Sequence, residues 1–191
     1  MSTPADDAQA VLAFWFGDGQ AARAEWFRKD AAFDAQIGER FGALIEQALR
    51  GEQLEWQQSP DPALARIILL DQFTRNVFRD TPRAFAGDAL ALAAARRMVD
   101  AGQDRALSPL RRAFVYLPFE HAEDLAAQDE SVRLFTDLAA AATDLADMLD
   151  YAHRHHVVIA RFGRFPHRND VLGRTSTPEE RAFLEQPGSR F

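Results

Sequence analysis

The sequence predicts an all-α protein, on three observations. The strong hydrophobic periodicities in its 191 residues are helical, with apolar side chains returning every three to four positions. Helix-start signals, in which Ser, Thr or Asp precedes a Pro or an acidic first turn, recur along the chain. No stretch alternates apolar and polar residues as a strand does, and no Asn-Gly or Asp-Gly pair sits between β-branched runs.

The elements follow in order. Thr3 reads as an N-cap with Pro4 at the first helical position, Val11, Phe14 and Trp15 recur at helical spacing, and the helix ends at Gly17. After a Gly-Asp-Gly turn and a short WFRKD segment, Phe33, Ile37, Phe41, Leu44 and Ala48 mark an amphipathic helix closed by Gly51. Gly38 and Gly42 on a neighbouring stripe are expected to admit another helix closely. Pro62 opens a helix that runs from Ala63 to Arg79 without a breaker, and Asp88 is expected to cap an alanine-rich helix ending near Gly102. Ser108-Pro109 begins another, with an interruption expected at Pro118. A long helical pattern then runs from about Ser131 to Leu149, and Tyr151, His155, Val158 and Phe162 form one more stripe. Thr177, Pro178 and Glu180 make a capping box before Phe183 and Leu184. No low-complexity linker divides the chain, so residues 1–191 are expected to form one all-α domain.

Composition narrows the function. With no cysteine there is no disulfide, thiolate nucleophile or Cys-based zinc site. A formal net charge of -7 argues against a general nucleic-acid surface, which needs a basic face. No apolar run approaches the ~20 residues of a membrane helix and the N-terminus lacks a secretory pattern, so a cytoplasmic protein with no membrane partner is expected.

Three polar constellations stand out. In LLDQFTRNVFRD, a helix of about 100° per residue puts Asp71, Gln72, Arg75, Asn76 and Arg79 on one face, with Leu70, Phe73 and Val77 on another. The face is either a solvated stripe or, given its two amides, a hydrogen-bonded network. In LPFEHAED, Glu120, His121, Glu123 and Asp124 cluster beside Pro118. These serve either as a helix cap or as an acid–base site, with His121 as the acid–base group and Glu123 orienting it. Only His121 with Asp124 has a spacing suited to a metal, and no metal or other cofactor is expected.

The third constellation is RFGRFPHRNDVLGR, Arg161 to Arg174, where four arginines against Asp170 give a local charge of +3 in an acidic protein. His155 sits on the apolar stripe of the preceding helix and is expected to point inward. If the phenylalanines here are buried, the guanidinium groups must lie near the protein body and find carboxylates or an anion. Asp71, Glu120 and Glu123 are the expected acceptors. Set against them, Arg75, Arg79, Arg161, Arg164, Arg168 and Arg174 leave an excess of three positive charges.

LLDQFTRN, PFEHAED, FGRFPHRN, LGR and TPEE, together with FWFG, WFRKD and the FD of AAFD, resemble the bacterial domain-of-unknown-function family 924 over essentially the whole chain. The resemblance implies a tetratricopeptide-like fold of stacked helical hairpins and implies no activity. Its polar motif residues fall on Asp71, Gln72, Arg75, Asn76, Arg79, Glu120, His121, Glu123, His155, Arg161, Arg164, His167, Arg168, Asn169 and Arg174. Ala122 departs from an expected serine, which weakens any nucleophilic-serine chemistry. The expected function is a pocket for a small carboxylate or phosphate, catalytic if His121 serves as acid–base group. The alternative is a helical interaction module that clasps an acidic peptide, with the arginine-rich motif partly a structural staple.

Overall fold

The computed structural model describes residues 3–17, 22–26 and 28–190, and among them it is helical with no strand. The expected Gly-Asp-Gly turn and part of the WFRKD segment fall on Asp18, Gly19 and Phe27, outside the described residues. Helix α1, Pro4–Phe16, begins with a capping box in which Thr3 and Asp6 satisfy each other's backbone N–H groups. Asp30 caps α2, Ala31–Leu49, by accepting from the N–H groups of Ala32 and Phe33. The close helix approach expected at Gly38 and Gly42 does not occur. A Cβ on Gly38 would meet only Val77, at an ordinary 3.8 Å, and one on Gly42 would meet nothing within 4 Å.

The centre of the molecule is one continuous helical segment with a changed pitch. It runs as α3, Pro60–Ile67, passes through a π-helical stretch, Ile68–Phe73, and resumes as α4, Thr74–Val77. Residues 63–71 are buried without exception, because α1, α2 and the later helices Asp88–Asp100 and Pro109–Glu120 surround them. That corrects the one-face reading of this segment. The i→i+5 bonding of a π-helix widens the turn and shifts the wheel, and Asp71, expected on the polar side, is fully buried.

Helix α5, Asp88–Asp100, starts against this π-helical stretch. Gly87 makes the approach possible, since a Cβ there would lie 2.1 Å from the carbonyl oxygen of Leu70. Gly87, not Asp88, is the N-cap, which frees the Asp88 carboxylate for long-range pairing. Helix α6, Pro109–Glu120, passes through Pro118 without the expected interruption. The Gln128 amide donates to the carbonyls of Phe119, Glu120 and Ala122, closing the exposed acceptors at its end.

The expected long helix to Leu149 is instead two. Helix α7, Leu125–Ala141, ends where Ala142 turns extended, and α8, Ala146–Phe162, packs back against it. Pro166–Arg168 then forms one short 3-10 turn, and α9, Pro178–Leu184, starts from the expected Thr177–Glu180 capping box. Phe162 and Phe183 close a small apolar cluster with Val158, Ile159 and Phe165, apart from the main core. This cluster ties Phe165 and Phe183 of the C-terminal segment to α8, the helix that carries His155.

Candidate functional site

The centre of the site is Asp71. Its carboxylate accepts from His121 Nδ1 at 2.8 Å and from Gln72 Nε2 at 2.6 Å, and lies 3.0 Å from Arg75 Nη1. Burial opposes its ionisation, but Arg75, His121 and Gln72 together outweigh burial and hold the carboxyl well below the usual range. The π-helical stretch turns Asp71 inward, and the end of α6 brings His121 to it. His121 is therefore oriented by Asp71 rather than by Glu123. Its ring is 16% exposed, and Nε2 makes no hydrogen bond among the described residues. Burial, reinforced by the nearby Arg75 and Arg168 charges and opposed by Asp71, lowers the His121 pKa. At neutral pH the ring is a neutral imidazole with its proton on Nδ1 and a lone pair on Nε2.

Glu120 and His155 stand beside this dyad. His155 Nδ1 donates to the carbonyl oxygen of Tyr151 at 2.8 Å and lies 3.2 Å from a Glu120 oxygen. Glu120 is 4% exposed and, among the described residues, is paired with no arginine or lysine and leaves Oε2 without a hydrogen bond. Burial and the Asp71 charge push its pKa up to about 8, so it is a neutral acid at physiological pH. Burial lowers His155 to about 3 and His167 to about 4.

Arg168 enters from the C-terminal segment. Its guanidinium is sandwiched between the rings of Phe85, at 4.7 Å, and Phe165, at 4.4 Å. It is 6% exposed, its Nη1 reaches Asp88 at 3.3 Å, and its Nε has no hydrogen-bond partner. Asp88 is already engaged, since Arg75 binds both its oxygens at 2.8 and 3.1 Å. Burial first, then the Arg75 charge, lowers the Arg168 pKa to about 10. It is a buried cation that shares its carboxylate with Arg75 and keeps one donor unused.

The remaining predicted residues do not join this centre. Arg174 grips Glu123 with two hydrogen bonds of 2.6 and 2.9 Å and also donates to Asn169 Oδ1, while the Phe165 N–H donates to Glu123. Arg164 grips Glu180 at 2.6 and 2.8 Å, and Asn169 Nδ2 donates to Glu180 and Ser176. These contacts clasp the C-terminal segment to the body. Asn76 and Arg79 both turn to Asp34 on α2, so they share no ligand-facing surface with Asp71. Arg161 is exposed, with its guanidinium over the Phe162 ring. Asp124 is the N-cap of α7, accepting from Ala127, and forms no pair with His121.

The expected charge excess also changes. Asp34, Asp88 and Glu180 were outside the count, and including them while leaving out the neutral Glu120 sets five carboxylates against the six arginines. Each missed acid carried a local signal with another meaning. Asp34 lies in the AAFD motif, Asp88 looked like a helix cap, and Glu180 does close a capping box while also holding Arg164.

The model for a family described as bacterial protein of unknown function (DUF924) matches residues 11–188. The chain belongs to that family. It is similar in structure to a protein of unknown function from Agrobacterium tumefaciens, ATU0120, at 42% sequence identity and a TM-score of 0.87, over 96% of this chain and 99% of that one. No curated protein matches. The match to the family and to the neighbouring structure supports the all-helical fold. Among the described residues, no helix is long and apolar enough to cross a membrane.

Proposed function

We propose that the centre formed by Asp71, His121, Arg75 and Arg168 binds a small anion, a carboxylate or a phosphate, and that His121 is its acid–base group. One observation carries the reading: Arg168 is a buried guanidinium with an unused Nε and, among the described residues, only a shared carboxylate to accept its hydrogen bonds. A cation in that position is strongly destabilised unless it has an acceptor, and guanidinium matches the planar geometry of a carboxylate. The histidine beside it supports the catalytic half. A carboxylate fixing Nδ1 leaves Nε2 as a proton acceptor at neutral pH, the arrangement general bases use. The predicted Asp71, Gln72, Arg75, Glu120, His121, His155 and Arg168 remain with this centre.

The test is thermal denaturation against acetate, phosphate, sulfate and small dicarboxylates, with matched neutral compounds as controls. A ligand of the native state stabilises by about 2.7 kcal/mol at a hundredfold excess over Kd. At least one anion should give a saturable shift that Arg168→Met removes and Arg161→Met leaves in place. Absence of any saturable shift across the panel overturns the anion site. Binding of an acidic peptide where every small anion fails would transfer support to the interaction-module reading.

A further inference from the structure

We infer that the centre takes up its anion together with one proton, received on Nε2 of His121, and that it therefore favours a carboxylate monoanion over a dianion. The inference rests on the anion reading above and adds to it a charge balance that the geometry imposes.

In the free protein the centre is electrically neutral. Arg75 and Arg168 contribute two positive charges, and Asp71 and Asp88 two negative ones. Glu120 contributes none, because a nearly fully buried carboxyl with no guanidinium or ammonium partner keeps its proton. The rings of His121, His155 and His167 are neutral as well. Glu123 faces the same region from the end of α6, but its charge is cancelled by the two bonds from Arg174. A monoanion arriving alone would leave one unbalanced negative charge in a largely desolvated site. A monoanion arriving with a proton leaves none.

The proton has one suitable destination. Asp71 is held ionised by three donors, and both oxygens of Asp88 already accept from Arg75. Glu120 is already protonated. His155 is almost fully buried with its Nδ1 proton committed to Tyr151, and His167 lies beside the positive Arg168. His121 alone combines a lone pair free of any intramolecular hydrogen bond with a carboxylate already bonded to its other nitrogen. Protonation turns that contact into an ion pair and converts Nε2 from an acceptor into a donor. Arg75 and Arg168 oppose an imidazolium in the free protein, and a bound anion neutralises that opposition. By linkage the effect is mutual: the anion favours the proton, and the proton favours the anion.

Ligand class follows from the same balance. The two oxygens of a carboxylate accept from guanidinium and imidazolium N–H donors, Arg168 Nε is an unused donor of that kind, and the single charge matches the single proton. Sulfate or a phosphate dianion leaves a second charge without compensation.

Isothermal titration calorimetry with sodium acetate and with sodium sulfate tests this at pH 6.5, where neither ion titrates appreciably and Glu120 holds its proton. Repeating each titration in two buffers of different protonation enthalpy counts protons taken up. The expected result is at least about half a proton per acetate in the wild type and in Glu120→Gln, none in His121→Gln, and weaker sulfate binding. Nitrogen-15 NMR of the wild-type histidine rings gives the same answer without a variant, as acetate should move His121 Nε2 to its protonated position. Acetate binding without proton uptake, uptake that persists in His121→Gln, or a preference for sulfate overturns the inference and leaves the anion site standing. Failure of every anion to bind overturns both.

Discussion

Two polar networks meet at the segment Phe165–Asn169, built from the same kinds of side chain, and they are finished differently. On the outer side, Arg164 and Arg174 each take both oxygens of one carboxylate, Glu180 and Glu123, and Asn169 joins the two pairs. On the inner side, Arg168 has an unused Nε, Glu120 an unused Oε2, and His121 an unused Nε2. Bidentate pairing leaves a guanidinium with little left to offer, so the outer network is a clasp. The inner one retains donors and acceptors that folding did not consume, at a stability cost. Buried groups of that kind persist where something else completes them. An arginine-rich motif is thus two devices side by side, and saturation separates them where residue type does not.

The largest effect expected from this contrast is in the clasp. Arg174→Met leaves Glu123 without its cation, and also removes bonds to Asn169 and to the Phe165 carbonyl. A fully buried broken pair costs about 3 to 5 kcal/mol, and the quarter exposure of both partners lowers the expectation to about 3 kcal/mol in urea unfolding. Adding Glu123→Gln should restore part of the loss. A change below about 1 kcal/mol would remove the distinction between clasp and centre.

The second effect is a pH dependence that belongs to the centre. Glu120 has an ordinary value of 4.5 and a folded value of about 8, so the unfolded chain releases this proton first. Its contribution to stability is present in full below pH 4.5 and declines as pH rises towards 8. The histidines act in the opposite sense. His155 at about 3 and His167 at about 4 lie below their ordinary 6.5, so their contribution is present above pH 6.5 and is lost as pH falls towards those values. Glu120→Gln should therefore flatten the alkaline limb between pH 5 and 8, a difference on the order of 2 kcal/mol, and leave the acid limb in place. An unchanged alkaline limb in chemical unfolding would show that Glu120 is ionised in the native protein.

The smallest effect is the most telling. Arg168→Met removes a buried cation, but Asp88 keeps both bonds from Arg75. Stability should stay within about 1 kcal/mol of the wild type, as expected where stability is given up for a site. A loss comparable to that of Arg174→Met would place Arg168 in the clasp. The sequence counts Arg161 and Arg168 alike, but in the structure Arg161 is exposed and Arg168 is buried.

The features legible in the sequence are those written within one helical turn. The Thr3 and Thr177 caps, Pro4 and Pro178 at first helical positions, the buried stripe of Phe33, Ile37 and Phe41, and the inward His155 all follow from contacts at separations of four or less. Family motifs also located the arginines and histidines of both networks, but not the acids Asp88 and Glu180. Their partners were not legible. Arg168 meets Asp88 across 80 positions, Arg174 meets Glu123 across 51, Arg79 meets Asp34 across 45, and His121 meets Asp71 across 50. Two local rules also gave way to tertiary packing. Pro118 stays inside α6, and a π-helical stretch replaces the regular wheel that placed Asp71 on one face with Asn76 and Arg79. By itself the sequence determined that the protein is helical and which side chains carry charge, because propensity, capping and periodicity act between near neighbours. Which carboxylate each guanidinium found, and which groups were left with capacity to spare, was decided only when the core brought distant turns together, since an ion pair depends on distance in space and on desolvation.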